Sequence, residues 1–216
     1  MYRTLILPLA AGLAGLAAFG SAQAAPVTGG QTVVEVTADL TALGVTATPS
    51  GTATVPGSAP VFVFGITGGD IDASTLAGTI EHEGSGIDLA VDGSVISLTD
   101  FIIDTTTSRL TGLVNISGAA GVSDLGRVAL FDFDVGSLSD TSDLFDLDDP
   151  MLALVFTDVA GAALLPLLGA DLTGVTLGVA ATAPELADAI PVPGAAILFV
   201  TGAGLLAARR KAAASS

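Results

Sequence analysis

The chain has 216 residues, 22 of them acidic and 6 basic, with a formal net charge of −16 and no cysteine. The lack of cysteine excludes a disulfide scaffold, a thiolate zinc site and a cysteine nucleophile. The negative charge excludes nucleic acid as a partner, because phosphate binding requires clustered Lys and Arg. Only 13% of the residues are charged, against roughly 25% in ordinary soluble domains, so the chain is unusually apolar.

The charges are distributed unevenly along the chain. All acidic residues lie between Glu35 and Asp188, and this stretch contains only two basic residues, Arg109 and Arg127. The remaining basic residues lie near the two ends, beside apolar runs. This distribution predicts a signal peptide over residues 1–24, an acidic β-rich domain over residues 25–189, and a targeting segment over residues 190–211.

The N-terminal segment has the three features of an export signal in the expected order. They are Arg3, an uncharged apolar run of 15 residues from Leu5 to Phe19, and the small residues Ala22 and Ala24. We therefore expect export through the Sec machinery and cleavage before Ala25 by signal peptidase. The apolar run is shorter than the ~20 residues of a membrane span, so an uncleaved anchor is the weaker alternative.

The acidic region shows the period-2 alternation of half-buried strands. In chain order, the predicted strands are residues 32–37, 61–66, 76–83 continuing through 87–91, 95–99, 101–104, 110–117, 127–135, 152–157 and 175–181. Asp92-Gly93 predicts a two-residue hairpin within this series. Short strands separated by Gly, Asp and Ser predict an all-β fold, either a β-sandwich or a partly open barrel.

Two segments of the acidic region depart from the strand pattern. Residues 158–168 are rich in Ala and Leu and start at Asp158, a candidate N-cap, which predicts one short helix limited by Pro166. Residues 46–60 are rich in Pro, Gly, Ser and Thr and predict a loop. The whole prediction is an all-β domain with one short helix, between an N-terminal signal helix and a C-terminal transmembrane helix.

The C-terminal segment combines a proline motif, an apolar run and a basic cluster. The motif is Pro191, Val192, Pro193, Gly194 and Ala195, and the cluster is Arg209, Arg210 and Lys211. The run from Ala195 to Ala208 has 14 residues, a helix of about 21 Å against a hydrocarbon core of about 30 Å. Starting at Ala189 gives 20 residues, enough to span marginally. The positive-inside rule then places the acidic domain outside the inner membrane.

This order of motif, short helix and terminal basic cluster resembles the PEP-CTERM class of sorting tails, and more closely its VPLPA-type variant. The resemblance covers residues 190–211. It implies transient anchoring in the inner membrane, cleavage near the proline motif by an exosortase-type membrane peptidase, and delivery to the cell surface. It also implies a link to exopolysaccharide or biofilm production. A plain C-terminal membrane anchor is the alternative interpretation.

His82 is the only histidine of the chain. The alternation places His82 and Ile80 on the apolar face of a strand, with Glu81 and Glu83 on the other face. A histidine in this position is more often a hydrogen-bonded core residue than a ligand or a base. A zinc site of the common kind is excluded, because the chain has neither a second histidine nor a cysteine.

Four segments resemble the HtaA-type haem-binding domain over about residues 61–181. They are residues 64–70, 78–84, 101–105 and 127–132. The resemblance implies a β fold with a hairpin and a later short helix, and it implies haem as a ligand. In that family a tyrosine is the expected axial ligand, and the only tyrosine here is Tyr2, in the predicted signal peptide. His82 is then the remaining candidate to ligate haem iron.

An acidic stretch is a candidate calcium site, because Ca²⁺ takes roughly six to eight oxygen ligands. It contains Asp132, Asp134, Asp140, Asp143, Asp146, Asp148 and Asp149. We assign Asp132, Asp134, Asp146 and Asp148 as the candidate ligands, with the first two expected on one face of a strand. The spacing matches no EF-hand loop. The alternative is a solvated acidic surface.

The residues favour a function without catalysis. The sequence has no nucleophile elbow and no phosphate loop, and the segment after the signal peptide has no Trp or Tyr on which a sugar would stack. We expect a cell-surface or extracellular-matrix protein without a resident cofactor, whose acidic surface meets polysaccharide or cations. The alternative is a ligand-binding surface module, for haem through His82 or for Ca²⁺ through the acidic stretch.

Overall fold

The computed structural model describes residues 24–57, 60–119 and 121–187. The predicted signal peptide up to residue 23, including Ala22, lies outside the described residues, as do the proline motif, the apolar run and the basic cluster. Ala24 and Ala25 of the predicted cleavage site are described. Within the described ranges, no helix has the length and apolar character needed to cross a membrane.

The described residues form an all-β domain with one α-helix, as the alternation predicted. The strands are β1 (Ala25–Val36), β2 (Thr46–Gly51), β3 (Val61–Gly65), β4 (Gly68–Ile71), β5 (Gly78–Val91), β6 (Ser94–Asp104), β7 (Arg109–Gly118), β8 (Gly121–Asp132), β9 (Leu152–Phe156) and β10 (Thr176–Leu186). Helix α1 (Asp158–Leu168) lies between β9 and β10. Short 3-10 helices cover Thr41–Leu43, Val135–Ser137 and Thr141–Phe145.

The strands belong to one sheet, which closes on itself. The pairing order is β10-β9-β8-β7-β6-β5-β4-β1, and β1 pairs again with β10. On its other side, β1 pairs with β3 and with β4, while β2 pairs with β5. The sequence left a sandwich and a partly open barrel as alternatives. The observed pairing is that of a single sheet. Its end strands, β1 and β10, pair with each other and enclose one core.

Alternate side chains along the strands point into this core. In β9, Leu152, Leu154 and Phe156 are buried, whereas Ala153 and Val155 are only partly buried. Burial of a large apolar side chain contributes about 1.5–3 kcal/mol to the free energy of folding. The period-2 pattern of the sequence therefore marks the residues that stabilise the sheet.

The Asp92-Gly93 hairpin joins β5 to β6 as predicted. Val91 pairs with Ser94, so the loop has two residues. The φ angles of Asp92 and Gly93 are 47° and 76°. Asp-Gly is favoured in such hairpins because both residues tolerate positive φ.

β5 and β6 each contain a bulge, and the two bulges are adjacent in the sheet. The β5–β6 register shifts after His82, and the β6–β7 register shifts after Thr99. Asp100 lies in the second bulge with a φ of 51°, and its carboxylate accepts a hydrogen bond from the Gly84 N–H at 2.7 Å. The two bulges therefore stabilise one another through this bond.

Several predicted boundaries are wrong. The strand predicted over residues 32–37 is β1, which begins at Ala25, and β4 was not predicted. Residues 46–60 are not all loop, because Thr46–Gly51 form β2, which pairs with β5. An edge strand of this kind tolerates Pro49, whose missing N–H the ladder does not require. Residues 95–99 and 101–104 form one bulged strand, β6. The strand predicted over residues 127–135 is β8, which begins at Gly121 and ends at Asp132.

Helix α1 covers the predicted residues, but its N-cap is Thr157 rather than Asp158. The Thr157 hydroxyl accepts a hydrogen bond from the Ala160 N–H at 3.1 Å and donates one to the Ala129 carbonyl at 2.6 Å. The Asp158 carboxylate accepts a bond from the adjacent Val159 N–H. Thr157 takes the cap position because its one hydroxyl joins the helix to β8 as well.

The first and last strands leave the sheet at the same place. Val27 pairs with Leu186, and the Ala187 N–H donates to the Pro26 carbonyl at 2.8 Å. We call this the terminal end of the sheet. The strand directions place three connecting segments at the same end: residues 72–77, 105–108 and 133–151. The opposite, distal end carries residues 37–45, the β5–β6 hairpin and α1.

Candidate functional site

His82 lies in the core and begins a chain of three hydrogen-bonded side chains. Its Nε2 is 2.8 Å from Thr32 Oγ1 on β1, which is 2.8 Å from Thr182 Oγ1 on β10. The exposed fractions of His82, Thr32 and Thr182 are 2%, 3% and 5%. The chain therefore connects β5 to the place where the sheet closes. The alternation predicted the inward direction of His82, whereas nothing in the sequence signals its two threonine partners.

The other ring nitrogen of His82, Nδ1, is buried without a hydrogen-bond partner. Burial lowers the pKa of His82 from 6.5 to about 4, and the Phe101 backbone opposes that shift. The ring is therefore neutral at physiological pH. A neutral imidazole carries one N–H and one lone pair, and the Phe101 backbone is close enough to the ring to favour its protonated form slightly.

Three small voids lie along the inside of the sheet. A void of about 40 Å³ lies toward the terminal end, one of about 30 Å³ lies against His82, and another of about 40 Å³ lies toward α1. Thr32 and Ile103 line both the first and the second void, and Phe101 lines both the second and the third. The voids are therefore neighbours that share walls.

Haem ligation by His82 does not fit this arrangement. A porphyrin is far larger than voids of about 30 and 40 Å³, and Nε2 is already bonded to Thr32. The rings of Phe64 and Phe101 pack edge to face at 5.3 Å, and Phe64 also packs against the imidazole. The described part of the chain contains no tyrosine, because Tyr2 lies outside it.

Three of the four aspartates predicted to bind calcium use their carboxylates in other interactions. Asp132 is the last residue of β8 and forms a half-exposed ion pair with Arg109 at 2.9 Å. Because the strand ends there, Asp134 does not share its face and instead caps a 3-10 helix. Asp146 accepts a hydrogen bond from the Asp148 N–H. Among residues 24–57, 60–119 and 121–187, no group of three or more His, Asp or Glu is placed to hold a metal ion.

Other aspartates stabilise exposed turns. A side-chain bond from Ser74 is the main cause that lowers the pKa of Asp72. Backbone N–H bonds from Ser142 and Thr173 are the main causes that lower the pKa of Asp140 and of Asp171. Each carboxylate accepts hydrogen bonds from residues that follow it closely in the sequence, which is typical of Asx turns.

An open cleft of about 340 Å³ lies on the outer surface, over the bulges of β5 and β6. Arg127 lines it together with Glu81, Glu83 and Asp100. Arg127 Nη1 donates to the Asp100 carbonyl at 2.7 Å and to Thr111 Oγ1 at 3.4 Å, so the guanidinium is positioned by the sheet. No motif in the sequence marks this cleft, because the bulges create it. The only signal was the scarcity of basic residues.

A larger open cleft, of about 490 Å³, lies at the distal end. Its walls are mostly apolar and include Val36, Leu40 and Phe62. Asp39 contributes a carboxylate, which accepts bonds from Thr41 Oγ1 at 2.6 Å and from a backbone N–H. The bond from Thr41 is the main cause that lowers the pKa of Asp39. The Asp39 carboxylate therefore already accepts hydrogen bonds from its own loop.

The fold is similar to that of a solved protein domain, the C-terminal domain of HtaA from Corynebacterium glutamicum. The match has a TM-score of 0.55 and covers 76% of this chain and 99% of that domain, at 15% sequence identity. At such low identity the similarity concerns the fold alone. No family model matches the chain. No curated protein matches it either. The HtaA-like β fold expected from the sequence is therefore confirmed at the level of fold.

Proposed function

We propose that this chain is an exported, non-catalytic surface module, which its C-terminal sorting tail holds at the inner membrane before delivery to the cell surface. The start of the first strand is the observation that best supports this proposal. β1 begins at Ala25, the first residue expected after signal-peptide removal, and Ala25 already pairs with Ile71 of β4. Cleavage before Ala25 leaves β1 whole, whereas cleavage a few residues later would remove its pairs with β4.

The C-terminal boundary supports the same proposal. β10 ends at Leu186, and the bond from Ala187 to Pro26 lies four residues before Pro191 of the sorting motif. The sheet therefore uses the chain almost up to the motif. A peptidase that cuts near the motif would leave the whole sheet intact.

The environment of the candidate catalytic groups supports a role without catalysis. A general base has to reach the proton that it abstracts. His82 is 2% exposed and bonded to Thr32. Several of the acidic side chains at the terminal end form turns and caps instead of facing one another in a cleft. A binding or structural function requires none of these groups to react.

The charge of the domain indicates the kind of material that it meets. Residues 25–189 carry all 22 acidic side chains of the chain and only two basic ones. Such a surface repels other copies of itself and attracts cationic groups, or polysaccharide bridged by divalent cations. We therefore place the module among matrix components that accompany exopolysaccharide. This assignment rests on charge and on the resemblance of the tail.

Replacement of Pro191 and Pro193 by alanine tests the sorting step. We expect the full-length form of the double variant to accumulate in the membrane fraction, while the wild type is released in shortened form. Pro56→Ala, in an exposed loop, is the matched control and should behave as the wild type. Mass spectrometry of the mature termini reads the outcome directly. Unchanged release of the double variant, or a mature N-terminus other than Ala25, would contradict the proposal.

The resemblance of four segments to the HtaA-type haem-binding domain makes haem binding a second candidate function, and the similar fold is compatible with it. Because His82 is buried, such binding would have to use other residues. Titration with haemin, followed by the Soret band, tests this in the wild type and in His82→Ala. A band of equal strength in both proteins would establish haem binding away from His82. A band lost only in the variant would mean that the sheet opens to admit haem.

A further inference from the structure

Arg127 is one of only two basic residues in the acidic domain, and it forms no ion pair with the carboxylates of its own cleft. In the described part of the chain, the pair between Arg109 and Asp132 is the only ion pair. The Arg127 guanidinium instead donates through Nη1 to the Asp100 carbonyl at 2.7 Å and to Thr111 Oγ1 at 3.4 Å. The cation is therefore held in place, while its other N–H groups remain available to a ligand.

The sheet brings the Arg127 guanidinium close to the acidic side of the cleft. The side chain starts on β8 and crosses β7 to reach the Asp100 carbonyl on β6. The next strand, β5, carries Glu83 and pairs with β6. Because neighbouring strands lie about 4.8 Å apart, positive and negative groups border the cleft from adjacent strands.

Glu83 is the carboxylate of the cleft that is best placed to bind a ligand. The Asp100 carboxylate already accepts hydrogen bonds from the Gly84 N–H and from the neighbouring threonine hydroxyl. A Cβ on Gly68 of β4 would lie 3.4 Å from Glu81 Oε2, so the Glu81 side chain leans toward β4 and away from β6. The Glu83 backbone N–H is fixed by a bond to a threonine of the loop before β4, while its carboxylate has no partner among the described residues.

The surface between these charges is partly apolar. Ile102 and Leu113 line the cleft, and both side chains are partly buried. The volume of about 340 Å³ falls within the range of roughly 300–1,000 Å³ that small-molecule sites occupy. A ligand in this cleft therefore meets a guanidinium, a carboxylate and an aliphatic surface together.

We propose that this cleft binds a small zwitterion of the α-amino acid class that has an aliphatic side chain. Its carboxylate pairs with the Arg127 guanidinium, its ammonium group pairs with the Glu83 carboxylate, and its side chain packs on Ile102 and Leu113. A simple anion is disfavoured by the 22 acidic side chains of the domain, and a simple cation is repelled by Arg127. A zwitterion carries no net charge and satisfies both groups. The site does not depend on the sorting tail, so its test is independent of the proposed function.

Equilibrium dialysis of the full chain in a non-ionic detergent, with tritiated L-leucine as the probe, tests this site. We expect saturable binding. N-acetyl-L-leucine keeps the carboxylate but lacks the ammonium group, and L-leucinamide keeps the ammonium group but lacks the carboxylate. Each should compete at least about fivefold less well than unlabelled L-leucine, because each loses one charge-assisted hydrogen bond. These comparisons use the wild-type protein and require no variant to fold.

Two matched pairs of variants locate the site. Arg127→Gln should weaken L-leucine binding at least about tenfold, whereas Arg109→Gln makes the same change in charge outside the cleft and should leave it unchanged. Glu83→Gln should weaken binding at least about fivefold, whereas Glu35→Gln, on the exposed side of β1, should not. Arg127 and Glu83 are both exposed, so their variants should retain the circular dichroism of the wild type.

The contact with the guanidinium has its own readout. In the chain labelled with ¹⁵N-arginine, L-leucine should shift the Nε–H signal of Arg127, which is assigned by its loss in Arg127→Gln, and should not shift that of Arg109. The absence of saturable binding, equal competition by N-acetyl-L-leucine and L-leucine, or equal affinity of Arg127→Gln and the wild type would overturn the proposal. Undiminished binding in Glu83→Gln would overturn the role of Glu83.

Discussion

The backbone N–H of Ala187 donates a hydrogen bond to the carbonyl of Pro26 at 2.8 Å. This bond follows directly on the pair between Val27 and Leu186, which is the last rung between β1 and β10. The residues that precede β1 and those that follow β10 therefore leave the domain side by side. In the proposed precursor, the signal peptide and the sorting tail attach the domain to the membrane through one end of its sheet.

The basic cluster should determine how the precursor lies in the membrane. We expect replacement of Arg209, Arg210 and Lys211 by Glu to reduce membrane retention or to invert the tail, because the positive-inside rule then loses its charges. Protease protection in spheroplasts measures the orientation. Arg109→Glu and Arg127→Glu together are the control, since they change charges inside the domain only. Orientation identical to the wild type in the triple variant would contradict the anchoring argument.

His82 should make the stability of the domain depend on pH. The folded-state pKa of about 4 lies below the ordinary value of 6.5, so the unfolded chain binds a proton that the folded chain does not. The contribution of neutral His82 is complete above pH 6.5 and is lost as the pH falls to about 4, by up to roughly 3 kcal/mol. Urea denaturation at several pH values measures the loss.

Protonation of the aspartates with lowered pKa values also reduces the free energy of unfolding on acidification. This loss occurs at lower pH than the loss caused by His82. The comparison is therefore made between pH 6.5 and 5, where His82→Gln should show a much flatter dependence than the wild type. Gln retains a group that can bond to Thr32 but takes up no proton. Equal slopes in the two proteins would mean that His82 is not the titrating group.

The double role of Thr157 predicts a cost for its loss. Thr157→Ala removes the N-cap bond to Ala160 and the bond to the Ala129 carbonyl. We expect the free energy of unfolding to fall by about 2 kcal/mol. Thr157→Ser keeps the hydroxyl and should lose less than about 1 kcal/mol. If both variants unfold at the same urea concentration, the hydroxyl contributes nothing.

Gly161 predicts a steric effect in α1. A Cβ at this position would lie 2.6 Å from the Thr173 backbone N and would also overlap the Thr173 side chain. Gly161→Ala should destabilise the domain by about 2 kcal/mol, although alanine favours helices by about 1 kcal/mol over glycine. Adding Thr173→Ala should not restore stability, because the clash with the backbone remains. Full rescue by that second change would show that only the side chain is in the way.

Calcium should have no specific effect on the melting temperature. The carboxylates of Asp132, Asp134 and Asp146 are engaged in an ion pair, a cap and a turn, which leaves Asp148 as the one candidate ligand without such a role. We expect CaCl₂ to raise the melting temperature no more than MgCl₂ of equal ionic strength, since both only screen the repulsion between carboxylates. A larger rise with calcium that EDTA reverses would establish a calcium site.

Much of the fold follows from local pattern. The alternation of apolar and polar residues predicted the strands other than β2 and β4, and it predicted the inward direction of His82. Asp92-Gly93 predicted its hairpin, and Ala-rich residues 158–168 predicted α1 to its bounds. These elements depend on the period of side-chain direction and on the backbone preferences of single residues, both of which are properties of neighbours in the chain.

Other features depend on pairing between distant residues. The loop-like composition of residues 46–60 conceals β2, which exists because β5 offers it a partner. The contact between Asp100 and Gly84 depends on bulges whose positions have no composition signal. Asp134 was predicted to share a face with Asp132, but the strand ends first. In each case the outcome depends on contacts with residues that are distant in the sequence.

The sequence by itself determined the acidic charge of the domain, its all-β character and the two apolar, basic-flanked ends that predict export and sorting, since these follow from composition and short-range order. Only the tertiary structure decided that β1 and β10 close the sheet, that His82 is buried and bonded to Thr32, and that the acidic stretch is divided among turns. The physical reason is that these outcomes depend on hydrogen bonds and voids between residues far apart in the sequence, such as Pro26 and Ala187.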